Sequence, residues 1–534
     1  LFNSSIAKAK SNSLTANPYL QEVQTNLPRL LALIDSDRTS RSYGLGDRYF
    51  WAWGLIDFGN ATFQGAANGL ARLWSSGLWP YSTPKDVFFE RLDALFKGTA
   101  FLTRKDGSLE EAFPHEGSYC VTALVAFDLL CALDQLREEL DATQREEWTR
   151  ILQPLVSYLV KADETHGLIS NHLATAVAAL ARWHELTGDK AAEAKASKLL
   201  KRILLNQSTE GWFREYEGAD PGYQTLCMCY LADVHLLRPD WNLEEPLRKS
   251  VDFLSYFSHP DGSFGGIYGS RSTRFYFPAG VLALRNLSPK AAALAGVMAE
   301  SIAQQSVVTL SAIDEPNLVP MFNAYCWSAQ LVADTPAESQ LGRLPCAAGR
   351  PFRLNFRDAG LWIDAGPEHY TIVNTHKGGV VAHYPKGGKP SIDGGVVVRN
   401  PKGQLGSTQI FEEDSVVSLN GDELCIDSCV GQMPKKLPTP MHFIILRILG
   451  MTVFRFSTLR EWFKRMLVRL LMKSPRKWPI TNHRRISLGS RINIQDECDL
   501  PKGYMKCSTT GPFVAIHMAS QGYWQRQDEG ADPL

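Results

Sequence analysis

Four glycines punctuate a long stretch of helical periodicity and restrict what this chain can fold into. Gly107, Gly167, Gly211 and Gly262 lie 60, 44 and 51 residues apart, each in a polar turn between apolar-periodic runs. The runs 121–140, 173–188 and 191–205 carry apolar residues at three-to-four spacing with few β-branched clusters, the pattern of packed α-helices. An interval of this size accommodates one helical hairpin per repeat, and stacked hairpins form either an open solenoid or a closed α/α toroid. The turns are richer in Trp, Tyr and charge than a scaffold needs. In a toroid they converge on one end, where they line a common groove.

After about residue 345 the texture changes. Short β-branched or aromatic runs separated by Gly, Pro and Asn turns read as antiparallel strands. The expectation is therefore a multidomain α+β chain. It has an N-terminal extension over 1–19, an α/α toroid over 20–340 and an antiparallel β-sandwich over 345–534. A segment at 441–479 interrupts the strands. It holds nine Lys/Arg and one acid, Glu461. Over 459–472, Leu459, Trp462, Phe463, Met466, Leu467, Leu470 and Leu471 segregate from Arg460, Glu461, Lys464, Arg465 and Arg469, which makes a basic amphipathic helix. Such a helix packs on its own protein or a partner subunit, or lies in an anionic membrane interface with Trp462, Arg465 and Arg469 at the headgroups. Arginines interrupt every long apolar run, so a transmembrane span is not expected.

Lys+Arg and Asp+Glu both count 56, which leaves no global electrostatic footprint for nucleic acid. The ten cysteines have no zinc-site spacing, and no P-loop or Gly-rich dinucleotide loop joins a strand to a helix, so neither metal nor cofactor is expected. Scattered cysteines favour a reducing compartment.

Three segments carry a resemblance: "SNHLATAVAALARWHELTGD" (170–189), "EYEGADPGYQTLCMCYLAD" (215–233) and "THKGGVVAHYPKGG" (375–388). They resemble the heparinase II/III-like and alginate-lyase-like polysaccharide lyases, in which an Asn-His pair opens one core helix. A Pro-x-Tyr segment opens another, and a β-domain histidine reaches the cleft. The resemblance implies β-elimination on a uronic-acid glycan. Asn171 and His172 would neutralise the uronate or assist as base, with Tyr223, its pKa lowered, as acid and in some geometries also base. His383 would be the β-domain histidine, with His376 as the other candidate. The family's His-x-Asp arrangement is missing from "HKGGVVAHYPKGGKPSIDGG", which leaves that second base and any metal beside it without support.

Removing the proton at sugar carbon five requires a neutralised carboxylate, a base and a proton for the leaving oxygen, and residues of these types supply each. Arg271 and Arg274 suit bidentate recognition of carboxylate or sulfate. His115, Glu116, Tyr216 and Glu217 occupy equivalent connections, and Trp53 beside Trp51 offers a stacking wall for sugar. For Asn171 the alternative role is a helix cap.

Three rival readings stand beside the lyase. A uronyl C5-epimerase shares the first proton abstraction. An inverting glycoside hydrolase needs two carboxylates roughly 6.5–9.5 Å apart, with Glu116, Glu215, Glu217 and Asp220 as candidates. A non-catalytic glycan-binding protein of envelope assembly is the third. The expected partner is an acidic polysaccharide. A homo-oligomer is compatible with the sequence, and the expected location is the cell envelope, at the cytoplasmic membrane face or in the periplasm.

Overall fold

The computed structural model describes residues 17–54, 56–164, 168–334, 343–433, 439–456, 458–460, 462–463, 466, 476–507, 513–515 and 521–523. Among the described residues, twelve helices alternate between an outer and an inner layer. The outer set is α1 (Pro18–Leu31), α3 (Lys85–Leu102), α5 (Ala142–Lys161), α7 (Lys190–Leu205), α9 (Glu244–Leu254) and α11 (Pro289–Ala303). The inner set is α2 (Ala66–Ser75), α4 (Tyr119–Gln135), α6 (Ser170–Thr187), α8 (Pro221–Leu237), α10 (Pro278–Ala283) and α12 (Glu315–Asp334). Each inner helix packs on the next, and α12 returns to pack on α2, so the ring is closed. The first residues of α1, Pro18 and Tyr19, fall inside what the sequence suggested as an extension; Asn17 caps them and Tyr19 is buried.

Layer follows composition. In α6 the run Leu173–Ala181 is buried on every side, as expected for an inner helix whose alanines let its neighbours approach. In α7 the buried set is Ala192, Ala196, Leu199, Leu200 and Ile203, a single stripe, while lysines fill the outer face. The punctuating glycines have a steric cause. Gly107 and Gly211 sit at φ +87° and +99°, and a Cβ on either would lie 2.2 Å from a backbone oxygen of the outer helix behind it, that of Pro154 or Lys249. Gly167 lies outside the described residues.

Among the described residues twelve strands follow. β1 (Phe352–Phe356), β2 (Leu361–Gly366), β3 (His369–Asn374), β4 (Val380–Pro385) and β5 (Ser391–Asp393) form an antiparallel sheet in chain order. The second sheet contains β6 (Val397–Arg399), β7 (Leu405–Ser407), β8 (Val416–Asn420), β9 (Glu423–Gln432), β10 (Lys477–Ser487), β11 (Asn493–Cys498) and β12 (Met505–Cys507). Its order is β11-β10-β9-β7-β6-β12, with β8 on β9. Trp362, Val373 and Val381 of the first sheet pack against Leu424, Ile426 and Ile486 of the second, which closes a sandwich.

The sandwich is fixed to the toroid. Phe356 packs against Phe253 and Phe257, and the Tyr370 hydroxyl donates to the Tyr256 carbonyl at 2.6 Å. Helix α13 (Pro440–Met451), inserted between β9 and β10, reaches back across the toroid: Arg447 pairs with Asp57 at 2.6 Å.

Candidate active site

A cleft of about 390 Å³ opens at the end of the toroid where the inner helices begin. Its walls come from Thr62 before α2, Cys120 in α4, Asn171, His172 and Thr175 in α6, Tyr223 and Tyr230 in α8, Phe277 before α10, and Asn317 in α12. Six helix N-termini therefore face one space, and their partial positive charge favours an anionic occupant. The ionisable turns lie here because each connects an outer helix to the start of an inner one.

Asp220 organises one wall. As N-cap of α8 its Oδ1 accepts from the Tyr223 backbone N–H at 3.0 Å, with Pro221 fixing the first helical position. Its Oδ2 accepts from the Arg271 backbone N–H at 2.9 Å. One carboxylate thus positions Tyr223 and Arg271 together. The guanidinium carbon of Arg271 stands 3.4 Å from the Tyr223 ring centre and 5.0 Å from that of Tyr216. All three side chains line the cleft. Burial raises the Tyr223 phenol above its ordinary value against the lowering effect of Arg271, and pushes Tyr216 up to about 12. The sequence expectation of a lowered tyrosine pKa is thereby corrected: desolvation outweighs the nearby cation.

The next wall starts at α6. Ile169 is its N-cap and makes no side-chain cap bond, so Asn171 is not the cap. The capping group comes from the following turn: Glu215 Oε1 accepts from the Asn171 backbone N–H at 3.0 Å, and Oε2 from Asn171 Nδ2 at 2.7 Å. Glu215 is fully buried, with Arg271 Nη1 3.9 Å from its Oε2. Desolvation pushes its carboxyl up to about 8, although Arg271 and the Asn171 donors oppose the rise. The hydrogen bond from Nδ2 fixes the Asn171 amide while its second N–H remains for another acceptor.

His172 lines the cleft with Nδ1 2.8 Å from Glu164 Oε2, a carboxylate whose side chain is 1% exposed. A carboxylate on Nδ1 favours the tautomer that leaves Nε2 as a proton acceptor. The sequence reading missed Glu164, which lies eight residues upstream across a turn and belongs to no recognisable spacing. Glu116 lines the cleft, its Oε2 accepting from the Ala112 backbone N–H at 2.8 Å. Glu111, not anticipated, lines it too and accepts from the α4 cap Ser118 at 2.8 Å.

Other expected residues lie elsewhere. His383 faces into the sandwich from β4, where its Nδ1 lies 2.8 Å from Thr371 Oγ1 and its ring stacks on His369. His376 packs over Gly360 and edge-on to Phe411. Neither lines the cleft, because strand alternation turns the first inward and Phe411 covers the second. Lys377 of the β-domain reaches the toroid turns beside the cleft instead. Its Nζ donates to the carbonyls of Ile267 (2.9 Å) and Gly269 (2.8 Å) and to Ser272 Oγ (2.9 Å). Burial lowers its pKa to about 8.

Arg274 is half-buried and couples electrostatically to Tyr384, and Glu217 is exposed beside Lys377 and Arg214. His115, at φ 63°, sits against Glu110 and the arginines Arg104, Arg455 and Arg460. Trp53 is exposed, while its neighbour Trp51 donates its indole N–H to Leu33. Of the three membrane-interface residues, Trp462 is exposed, and Arg465 and Arg469 lie outside the described residues. Among the described residues, no group of three or more His, Cys, Asp or Glu side chains could hold a metal ion.

No family model matches this sequence, and no curated protein is similar to it in sequence. Solved structures with a similar chain path include a Paenibacillus xanthan lyase (TM-score 0.45, 11% identity), which aligns over 79% of this chain and 46% of its own. The chondroitin AC lyase of Streptomyces coelicolor A3 in complex with chondroitin sulphate gives a TM-score of 0.48 at 11% identity, over 79% and 67%. The cellobiose 2-epimerase of Bacillus thermoamylovorans B4167 gives 0.44 at 12%, over 59% of this chain and 98% of its own. This chain thus spans under half the length of the xanthan lyase. Likenesses at such identity assign neither activity nor substrate; the architecture, an α/α toroid followed by an antiparallel β-sandwich, is read from this chain's own closed ring and paired sheets.

Proposed function

We propose that this chain is a polysaccharide lyase that cleaves a uronic-acid-containing glycan by β-elimination. The observation that carries the reading is His172, held through Nδ1 by buried Glu164, in one cleft with Asn171, Tyr223 and Arg271. Arg271 and the free N–H of Asn171 bind the uronate carboxylate and make the proton at carbon five more acidic. His172 Nε2 takes that proton. The electron pair of the broken C–H bond becomes the carbon four–carbon five double bond as the glycosidic C–O bond breaks. Tyr223, kept protonated by its raised pKa, gives its proton to the departing oxygen. Burial argues against Tyr223 as base in the resting enzyme, and that role goes to His172. His383 has no part.

Three of the four carboxylates suggested for a hydrolase are otherwise placed. Glu215 and Asp220 accept bonds from helix starts, and Glu217 is exposed away from the cleft, which leaves Glu116 and Glu111. The test is incubation with a panel of uronate polysaccharides, followed by ultraviolet absorbance of the unsaturated product. Product that forms with the wild type and is lost in Tyr223→Phe and His172→Ala supports the reading. Absence of product together with deuterium incorporation at carbon five replaces it with a C5-epimerase.

A further inference from the structure

Among the described residues, ten of the twenty-one exposed large apolar side chains fall within 441–466, so exposed hydrophobicity is concentrated in the insert. On α13, Met441, Phe443, Ile444, Ile445, Ile448 and Met451 are between 48% and 62% exposed. Gly450 is the buried position of that helix, where a Cβ would lie 3.5 Å from Pro114. The helical residues that follow repeat the arrangement. Trp462 is 61% exposed while Arg460 is buried, its Nη1 donating to the Phe454 carbonyl at 3.2 Å. An amphipathic segment that packed on its own protein would turn its apolar side inward. This one turns it outward.

We propose that this outward face seats the protein on an anionic membrane surface. Charge selects the occupant. The whole chain is balanced, yet by sequence 441–479 carries nine Lys/Arg against Glu461 alone; Arg447, Arg460 and Lys477 are engaged with Asp57, the Phe454 carbonyl and Glu412, and the other six cations of the segment suit anionic headgroups. A second copy is disfavoured by the same fact, since a two-fold contact would bring this basic segment against itself. Among the described residues no helix is long and apolar enough to cross a membrane, so the stripe lies in the interface plane.

The seat adjoins the cleft. Arg447 pairs with Asp57, and the Phe454 ring lies 5.9 Å from that of Phe113, so the insert bridges the turns that continue into Asn60 and Glu116 on the cleft wall. Docking therefore holds that rim at the headgroup layer. Resting on the lyase reading, this makes the substrate a glycan tethered at or emerging from that surface.

The test is flotation of the full chain with phosphatidylcholine vesicles and with vesicles containing phosphatidylglycerol, for wild type and Ile444→Glu/Ile448→Glu. Both substituted positions are exposed, so the variant is expected to keep the wild-type melting temperature. The wild type floats with the anionic vesicles alone, and the variant loses about tenfold or more of that binding. A single Trp462→Ala variant weakens binding in the same direction. No flotation of wild type, or equal flotation of wild type and double variant, overturns the proposal. A wild-type dimer that the double variant dissociates, without vesicle binding, also overturns it and assigns the face to a second copy. Flotation without turnover of any uronate glycan leaves the docking standing and removes the lyase reading.

Discussion

The guanidinium carbon of Arg271 stands 3.4 Å from the Tyr223 ring centre, and Asp220 fixes both residues through their backbone N–H groups. A buried cation on a phenol ring stabilises negative charge on bound substrate and limits the rise in the phenol's pKa. The two residues act as a unit.

Arg271→Lys keeps the charge and loses the planar stack, a contact of about 0.5–2 kcal/mol. It also loses bidentate binding of a carboxylate. The expected result is a fall in kcat/KM of about 10–100-fold, the effect of one lost charge-assisted contact. Steady-state kinetics on a uronate glycan check it, and unchanged kinetics would remove Arg271 from substrate binding.

His172→Ala is expected to lower kcat by about 10²–10⁴-fold, the usual contribution of a positioned base. Glu164→Gln keeps the shape of the pair but weakens its hold on the Nδ1 tautomer. It should lower kcat by a smaller factor and leave KM close to wild type. A change confined to KM would contradict the orienting role of Glu164.

Glu215 gives a pH signature. Its folded pKa of about 8 lies above its ordinary 4.5, so between those values the folded state binds more protons than the unfolded state. Its contribution is fully present below pH 4.5 and is lost as the pH rises to about 8. The melting temperature of wild type relative to Glu215→Gln should therefore decline across that window and level off above it. Calorimetry of the pair checks the difference.

Much of this was legible from the chain, and the failures have physical causes. The toroid could be read because Gly107 and Gly211 are required sterically and the inner helices carry uninterrupted alanine-rich runs. Asn171, His172 and Tyr223 could be read because each stands in the first turn of an inner helix, and Arg271 because it lies in the charged turn that leads toward the next. Glu164 and the cap formed by Glu215 could not, since both act across turns on residues of another segment. His383 was misleading because a histidine in an alternating strand says nothing of which face it takes; the neighbouring Lys377 makes the contact instead. The outward apolar face of the insert was also invisible, as periodicity defines a stripe and not its direction.

Lys377→Met removes the cation that binds three oxygens of the 267–272 turn, next to Arg271. Leaving those acceptors unmatched is expected to cost about 1–3 kcal/mol. The melting temperature should drop and kcat should fall with it, because the turn holding Arg271 loosens. Full activity in a destabilised variant would show that the latch is structural alone.

The most direct measurement is the ultraviolet absorbance of uronate polysaccharides incubated with wild type, Tyr223→Phe and His172→Ala. A rise with wild type that both variants abolish, while their melting temperatures stay near wild type, is the predicted result. A flat trace for wild type across the panel, or a rise that survives in both variants, would contradict β-elimination in this cleft.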